Sequence, residues 1–145
     1  MNTSALKVLA VDDEPHILKL CRLNLGFEGM LVLEATDAAE AVEIAIREQP
    51  DVIVLDRMLP HMDGLTALRA LKADAATSGI PVIMLTARAL PGDRIDCWIA
   101  GASAHLAKPF SMDELTTTVK RFGAMSEAEL AAHRQDLLGR LRELA

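Results

Sequence analysis

The chain is 145 residues long, about the size of one domain, with half its residues hydrophobic and a quarter charged, the balance of a globular rather than a disordered protein. A net charge of −6 argues against a surface built for nucleic acid or anionic membrane, which needs clustered basic residues, although a local basic patch is compatible with it. No apolar run reaches the roughly 20 residues of a membrane span, the first residues lack a signal-peptide pattern, and Cys21 and Cys97 are isolated, so reduced thiols in the cytoplasm are expected.

In chain order, Leu6 to Val11 reads as a strand, and Pro15 to Leu25 as a helix with Ile17, Leu18, Cys21 and Leu25 on one stripe. Met30 to Glu34 is a second strand and Asp37 to Glu48 a second helix. Val52 to Leu55, an unbroken apolar run, suits a strand covered on both faces. Gly64 to Ala73 reads as a helix, Pro81 to Leu85 as a fourth strand, and Pro91 to Ala100 as a fourth helix. Ala104 to Ala107 is a short fifth strand. Ser111 opens a fifth helix with Glu114 three residues on, the capping-box pattern, and Gly123 closes it. Strict alternation of this kind implies a doubly wound α/β fold, a five-stranded parallel sheet with helices on both faces. Ser126 and Glu129 repeat the capping pattern and start an extra C-terminal helix to about Leu144, with Leu130, Leu137, Leu141 and Leu144 as its apolar stripe.

In a parallel sheet the residues just past the strand ends gather along one edge, where such folds bind ligands. Here they are Asp12, Asp13 and Glu14 after the first strand, Asp56 after the third, Thr86 after the fourth and Lys108 after the fifth. Converging carboxylates repel unless a proton or cation compensates, and an oxygen-only donor set points to Mg²⁺. Asp13 and Asp56 are the expected ligands, with Asp12 helping directly or through water. A metal beside Lys108 and the Thr86 hydroxyl can hold phosphoryl oxygens, and Asp56 is the natural nucleophile for an acyl phosphate.

The segments VLAVDDEPHI, DVIVLDRMLPHMDG, PVIMLTA and GASAHLAKPF resemble the response-regulator receiver domains of two-component signalling over about residues 5–122. The resemblance implies a flavodoxin-like receiver fold over residues 1–123, followed by a helical extension at 124–145. It implies that Asp56 is the phosphoacceptor, that Asp12, Asp13 and the Met58 carbonyl belong to the Mg²⁺ site, and that Thr86 and Ala87 lie at the phosphate and switch position. Lys108, before an expected cis Pro109, is the phosphate-binding lysine. The donor is then a phosphohistidine on a sensor histidine kinase or a histidine phosphotransfer protein. On this reading the chain is a signalling phosphoacceptor rather than an enzyme, and neither nucleic acid nor membrane is a direct partner.

The pattern departs from the family at His105, where Tyr or Phe is usual; the ring either does the same packing job or makes the switch pH-sensitive. Met58 and Arg88, each two residues past a site residue, predict slow self-dephosphorylation, since an apolar Met cannot orient an attacking water. Pro60 and Gly64 shape the turn after Asp56, His16 and His61 read as exposed polar residues, and Trp98 as packing. The C-terminal stripe either packs back on the receiver, pairs with a second copy, or leads to an output module absent from this chain. A homodimer could also form through the fourth helix, fifth strand and fifth helix. A haloacid-dehalogenase phosphatase is disfavoured because its two Asp residues would lie one apart after the first strand, and a flavin site because Asp12, Asp13 and Glu14 would repel its phosphate.

Overall fold

The runs rich in Val, Ile and Leu take extended backbone, and the segments of 3.6-residue periodicity between them coil into helices. The computed structural model describes residues 6–59, 62–86 and 91–144, excluding the side chains of residues 62, 91–94 and 144. In chain order the elements are β1 (Lys7–Val11), α1 (Pro15–Phe27), β2 (Leu31–Ala35), α2 (Ala38–Glu48) and β3 (Val52–Asp56). A short pair follows, β4 (Met58–Leu59) and β5 (Met62–Asp63), and then α3 (Gly64–Ala73), β6 (Val82–Thr86), α4 (Pro91–Ala100) and β7 (Ala104–Ala107). The described chain ends with α5 (Met112–Gly123) and α6 (Glu127–Leu144).

Five strands form one sheet in the order β2-β1-β3-β6-β7, and every neighbouring pair is parallel. The chain winds outward from β1 in one direction and from β3 in the other, which opens a crevice beyond the carboxyl ends of those two strands. Side chains alternate between two apolar layers. Leu9, Val11, Ile53, Leu55, Val82 and Met84 pack with α2, α3 and Cys97 of α4. Val8, Ala10, Val52, Val54, Ile83 and Leu85 pack with α1 and α5. Both cysteines are buried and free, as expected, on α1 and α4.

Local chemistry sets the ends of the helices. Asp37 accepts from the Glu40 N–H at 2.8 Å to start α2, and Ser111 with Glu114 forms the expected capping box on α5. Ser126 and Glu129 exchange the same two bonds at the start of α6. Gly123 is the last residue of α5, as expected, and a Cβ there would come within 2.9 Å of the Leu6 side chain, so its smallness also admits Leu6. At the opposite end of the sheet, Asp51 accepts from the Lys7 N–H at 2.7 Å and holds β1 in place.

The two outer strands are β2 and β7. The first carries Glu34, paired with Arg22 of α1, and the second is only four residues long. No described helix is long and apolar enough to cross a membrane.

Candidate functional site

Because β1 and β3 are adjacent and parallel, Asp12 and Asp56 emerge side by side at the crevice. Both are buried, at 1 % and 3 % exposure, while Asp13 next to them is exposed. Ligand atoms of Asp12, Asp13 and Asp56 all lie within 4.8 Å of one another. The Lys108 ammonium reaches in from the loop after β7 and bridges the two buried carboxylates, 3.1 Å from Asp12 Oδ2 and 3.1 Å from Asp56 Oδ2, with Glu14 Oε1 at 3.6 Å. The remaining oxygens are fixed by backbone. Asp12 Oδ1 accepts from the Glu14 N–H and Asp56 Oδ1 from the Met58 N–H, each at 3.0 Å.

Burial is the main force on Asp56 and pushes its carboxyl up from 3.8 to about 6, with the Asp12 charge adding to it and the Met58 N–H and Lys108 opposing it. Burial also works against the Lys108 ammonium, but the hydrogen bonds and charges of Asp56 and Asp12 outweigh it and hold its pKa above the ordinary lysine value. One ammonium thus serves two buried carboxylates with a third at the rim. That leaves the pocket short of positive charge, and its hard oxygen donors fit a small divalent cation.

Thr86, at the end of β6, is buried, and its Oγ1 has no hydrogen-bond partner among the described residues. Such an atom suits a polar group that enters the crevice. The Lys108 N–H donates to the Thr86 carbonyl at 2.7 Å, which ties the hydroxyl and the ammonium to one segment, and the Lys108–Pro109 peptide is cis, as the sequence led us to expect. His105 on β7 lies opposite Met84 of β6 and is half-buried, its ring edge-on to Trp98 with centroids 4.3 Å apart. Trp98 packs as expected. The Met58 side chain is 69 % exposed, and His16 is exposed beside Glu14 at 3.3 Å. Ala87, Arg88, Pro60 and His61 lie outside the described residues.

Two contributions had no sequence signal of their own. Arg57 Nε donates to Asp63 Oδ1 at 2.9 Å across the β4–β5 pair, and Asp63 Oδ1 also accepts from the Leu65 N–H at 3.0 Å at the start of α3. Gly64 passes directly over the backbone of Asp56. A Cβ on it would meet the Asp56 carbonyl oxygen at 2.3 Å and Arg57 Cα at 2.7 Å.

Comparison with known proteins places this geometry. Residues 8–120 match the family model of the response regulator receiver domain. The chain is 40 % identical over 114 residues to the DNA-binding dual master transcriptional regulator RpaA of Synechocystis, covering 79 % of this chain and 47 % of RpaA. It is 40 % identical over 126 residues to the transcriptional regulatory protein KdpE of Mycobacterium tuberculosis, covering 84 % and 54 %. The chain thus spans about half the length of these curated relatives.

Among solved structures, the receiver domain of the sensor histidine kinase PA1611 from Pseudomonas aeruginosa, with a magnesium ion in its active-site cleft, matches with TM-score 0.77 and 35 % identity over 84 % of this chain and 100 % of that one. The chemotaxis response regulator CheY4 of Vibrio cholerae matches with TM-score 0.78 and 32 % identity over 82 % and 99 %. With its parallel sheet, its acidic crevice and these matches, the chain belongs to the response regulator receiver family of two-component signalling.

Proposed function

We propose that Asp56 accepts a phosphoryl group from a phosphohistidine on a sensor kinase or phosphotransfer protein, and that residues 1–123 are the receiving unit with 124–145 as a helical extension. The observation that carries the reading is the Lys108 ammonium shared by the buried Asp12 and Asp56 carboxylates, in a crevice that also holds Asp13 and the Thr86 hydroxyl, which has no partner among the described residues. A deprotonated Asp56 oxygen attacks phosphorus as the bond to the imidazole nitrogen breaks, and that nitrogen keeps the electron pair. Lys108 and the Thr86 hydroxyl stabilise the charge on the transferring oxygens. Asp12, Asp13, Asp56 and the Met58 carbonyl would hold Mg²⁺, which supplies further neutralisation of that charge.

Met58 stands exposed two residues from Asp56 and has no polar atom able to orient a water for hydrolysis. With Arg88, it supports slow loss of the phosphoryl group. The protein's chemistry is then confined to its own phosphorylation, and its output is a contact with a partner or an attached module. The reading places it in the cytoplasm, where kinase and phosphotransfer partners present phosphohistidine.

Mass spectrometry after incubation with Mg²⁺ and acetyl phosphate tests this reading. The native chain should gain one phosphoryl group and Asp56→Asn none. Steady consumption of the donor with no trapped phosphoprotein would sink the assignment and favour a phosphatase.

The Asp56 pKa gives a second expected outcome. Its folded value of about 6 lies above the ordinary 3.8, so the metal-free folded protein keeps a proton that the unfolded chain gives up. This group therefore lowers stability as pH rises from about 4 to about 6, after which its effect is constant. A cation competes with that proton and stabilises the folded state more once Asp56 is ionised. Mg²⁺ should raise the thermal midpoint clearly at about pH 7.5 and little at about pH 5. An equal rise at both would show that the ion binds elsewhere.

A further inference from the structure

The C-terminal helix carries a leucine stripe, yet no described residue of α6 is buried; Leu130, Leu137 and Leu141 are half-buried at best. Beneath it lies a cavity of about 290 Å³, lined by Leu130 and Leu137 on one side and by Lys72, Pro81 and Ala102 on the other. The polar contacts of the helix are directed at backbone. His133 Nε2 donates to the Ser103 carbonyl at 2.7 Å, just before β7. Arg134 donates to the carbonyls of Trp98 and Ile99 at 3.5 and 3.4 Å, in the last turn of α4, where a cation complements the helix dipole. The His133 ring also packs edge-on to Phe122, with centroids 5.0 Å apart.

These anchors converge on the residues that link to the phosphoryl site. Trp98, whose carbonyl receives Arg134, is the residue whose ring meets His105. His105 lies two residues before Ala107, which pairs with Thr86 across β6 and β7. His105, Trp98, Phe122 and His133 border one further cavity, of about 300 Å³. The dock is also opposed from within. Lys72 is held down to about 8, first by burial and then by the charge of Arg134, so seating Arg134 works against the ammonium beneath it.

We propose that α6 is a clamp coupled to phosphorylation: it sits on the end of α4 in the unphosphorylated protein and leaves when a phosphoryl group on Asp56 shifts the paired ends of β6 and β7 and, with them, the His105–Trp98 ring contact. The inference rests on the phosphoacceptor reading. An under-packed helix held at three or four points has a low free energy of local opening, so a small change at Trp98 is enough to release it. Release exposes the stripe of Leu130, Leu137 and Leu141 to a partner and uncovers the end of α4 at the same time. By linkage, a change that loosens α6 must favour the phosphorylated state, by at most the factor with which phosphorylation favours release.

The test uses the full chain with Mg²⁺ and trifluoroberyllate as a phosphoryl mimic, reading hydrogen exchange in residues 128–142 and the bound fluorine resonance by NMR. In the native chain a bound resonance should accompany an increase of about fivefold or more in α6 exchange. A His133→Ala/Arg134→Ala chain should exchange fast without the mimic and bind it more tightly by a similar factor. A bound resonance with unchanged α6 exchange overturns the clamp alone. So does a double variant that loosens α6 while its affinity for the mimic stays the same, because that is the signature of a merely structural contact. The lack of any bound resonance overturns the phosphoacceptor reading and the clamp with it.

Discussion

Gly64→Ala is expected to lower stability by about 2–3 kcal/mol, which in a chain of this size moves the thermal midpoint down by about 8 °C. The added methyl would lie 2.3 Å from the Asp56 carbonyl oxygen and under 3 Å from two further backbone atoms of Arg57. Backbone cannot swing aside as the end of a flexible side chain can, so either α3 or the end of β3 must move. The Gly64 N–H donates to the Arg57 carbonyl at 2.7 Å, so a shift also strains that bond. Displacement of Asp56 by even a fraction of an ångström disturbs its alignment with an incoming phosphorus. Phosphoryl uptake from acetyl phosphate should therefore fall about tenfold in the folded fraction. Calorimetry and phosphorylation kinetics on the same sample check both parts. Native-like stability would mean that the close approach is not obligatory.

Lys108→Met should be the most damaging change within the site. The ammonium is the one described cation within salt-bridge distance of Asp12 or Asp56, whose side chains are 2 % and 4 % exposed. Removing it leaves two buried carboxylates facing each other, at a cost of about 3 kcal/mol when both are ionised. Asp56, already raised to about 6, would rise further and take up a proton. The destabilisation should accordingly be small near about pH 5 and grow toward about pH 8 as that proton is lost. Uptake of phosphate should slow about tenfold or more even with Mg²⁺ present, since one of the charges facing the transferring oxygens is gone. Denaturant titrations across that pH range would detect the growth, and a flat profile would mean that Lys108 does not hold the carboxylates ionised.

Much of this architecture could be read from the residues alone because it depends on local rules. The bounds of α3, α4 and β7 agree with the sequence reading, and both Ser–Glu capping boxes form, because side chain and N–H lie within one turn. Asp12, Asp56, Thr86 and Lys108 could be located because a parallel sheet brings strand ends together whatever lies between them. That Lys108 touches both buried carboxylates at once depends on side-chain reach, which spacing does not encode. Gly64 was legible as a turn residue, but its close approach to Asp56 is a tertiary contact between backbones. The β4–β5 pair is too short to show a period. The anchors of α6 have no sequence signal because His133 and Arg134 bond to carbonyls, and any residue type offers a carbonyl. The leucine stripe of this helix is legible in its period, and the polar residues beside it make the contacts to α4 and to the segment before β7.

The sheet's outer strands bear on how this protein behaves when crowded. An open strand edge invites a second chain to add to it, and β2 presents Leu31, Val32 and Leu33 along such an edge. The Glu34 carboxylate tethered to Arg22 sets a charged pair on that margin, and a chain stacking there would have to strip water from both partners. At the other margin β7 is too short to template a long ladder. Each border thus carries one guard, an ion pair at β2 and brevity at β7, and an apolar residue at position 34 would remove the first of them.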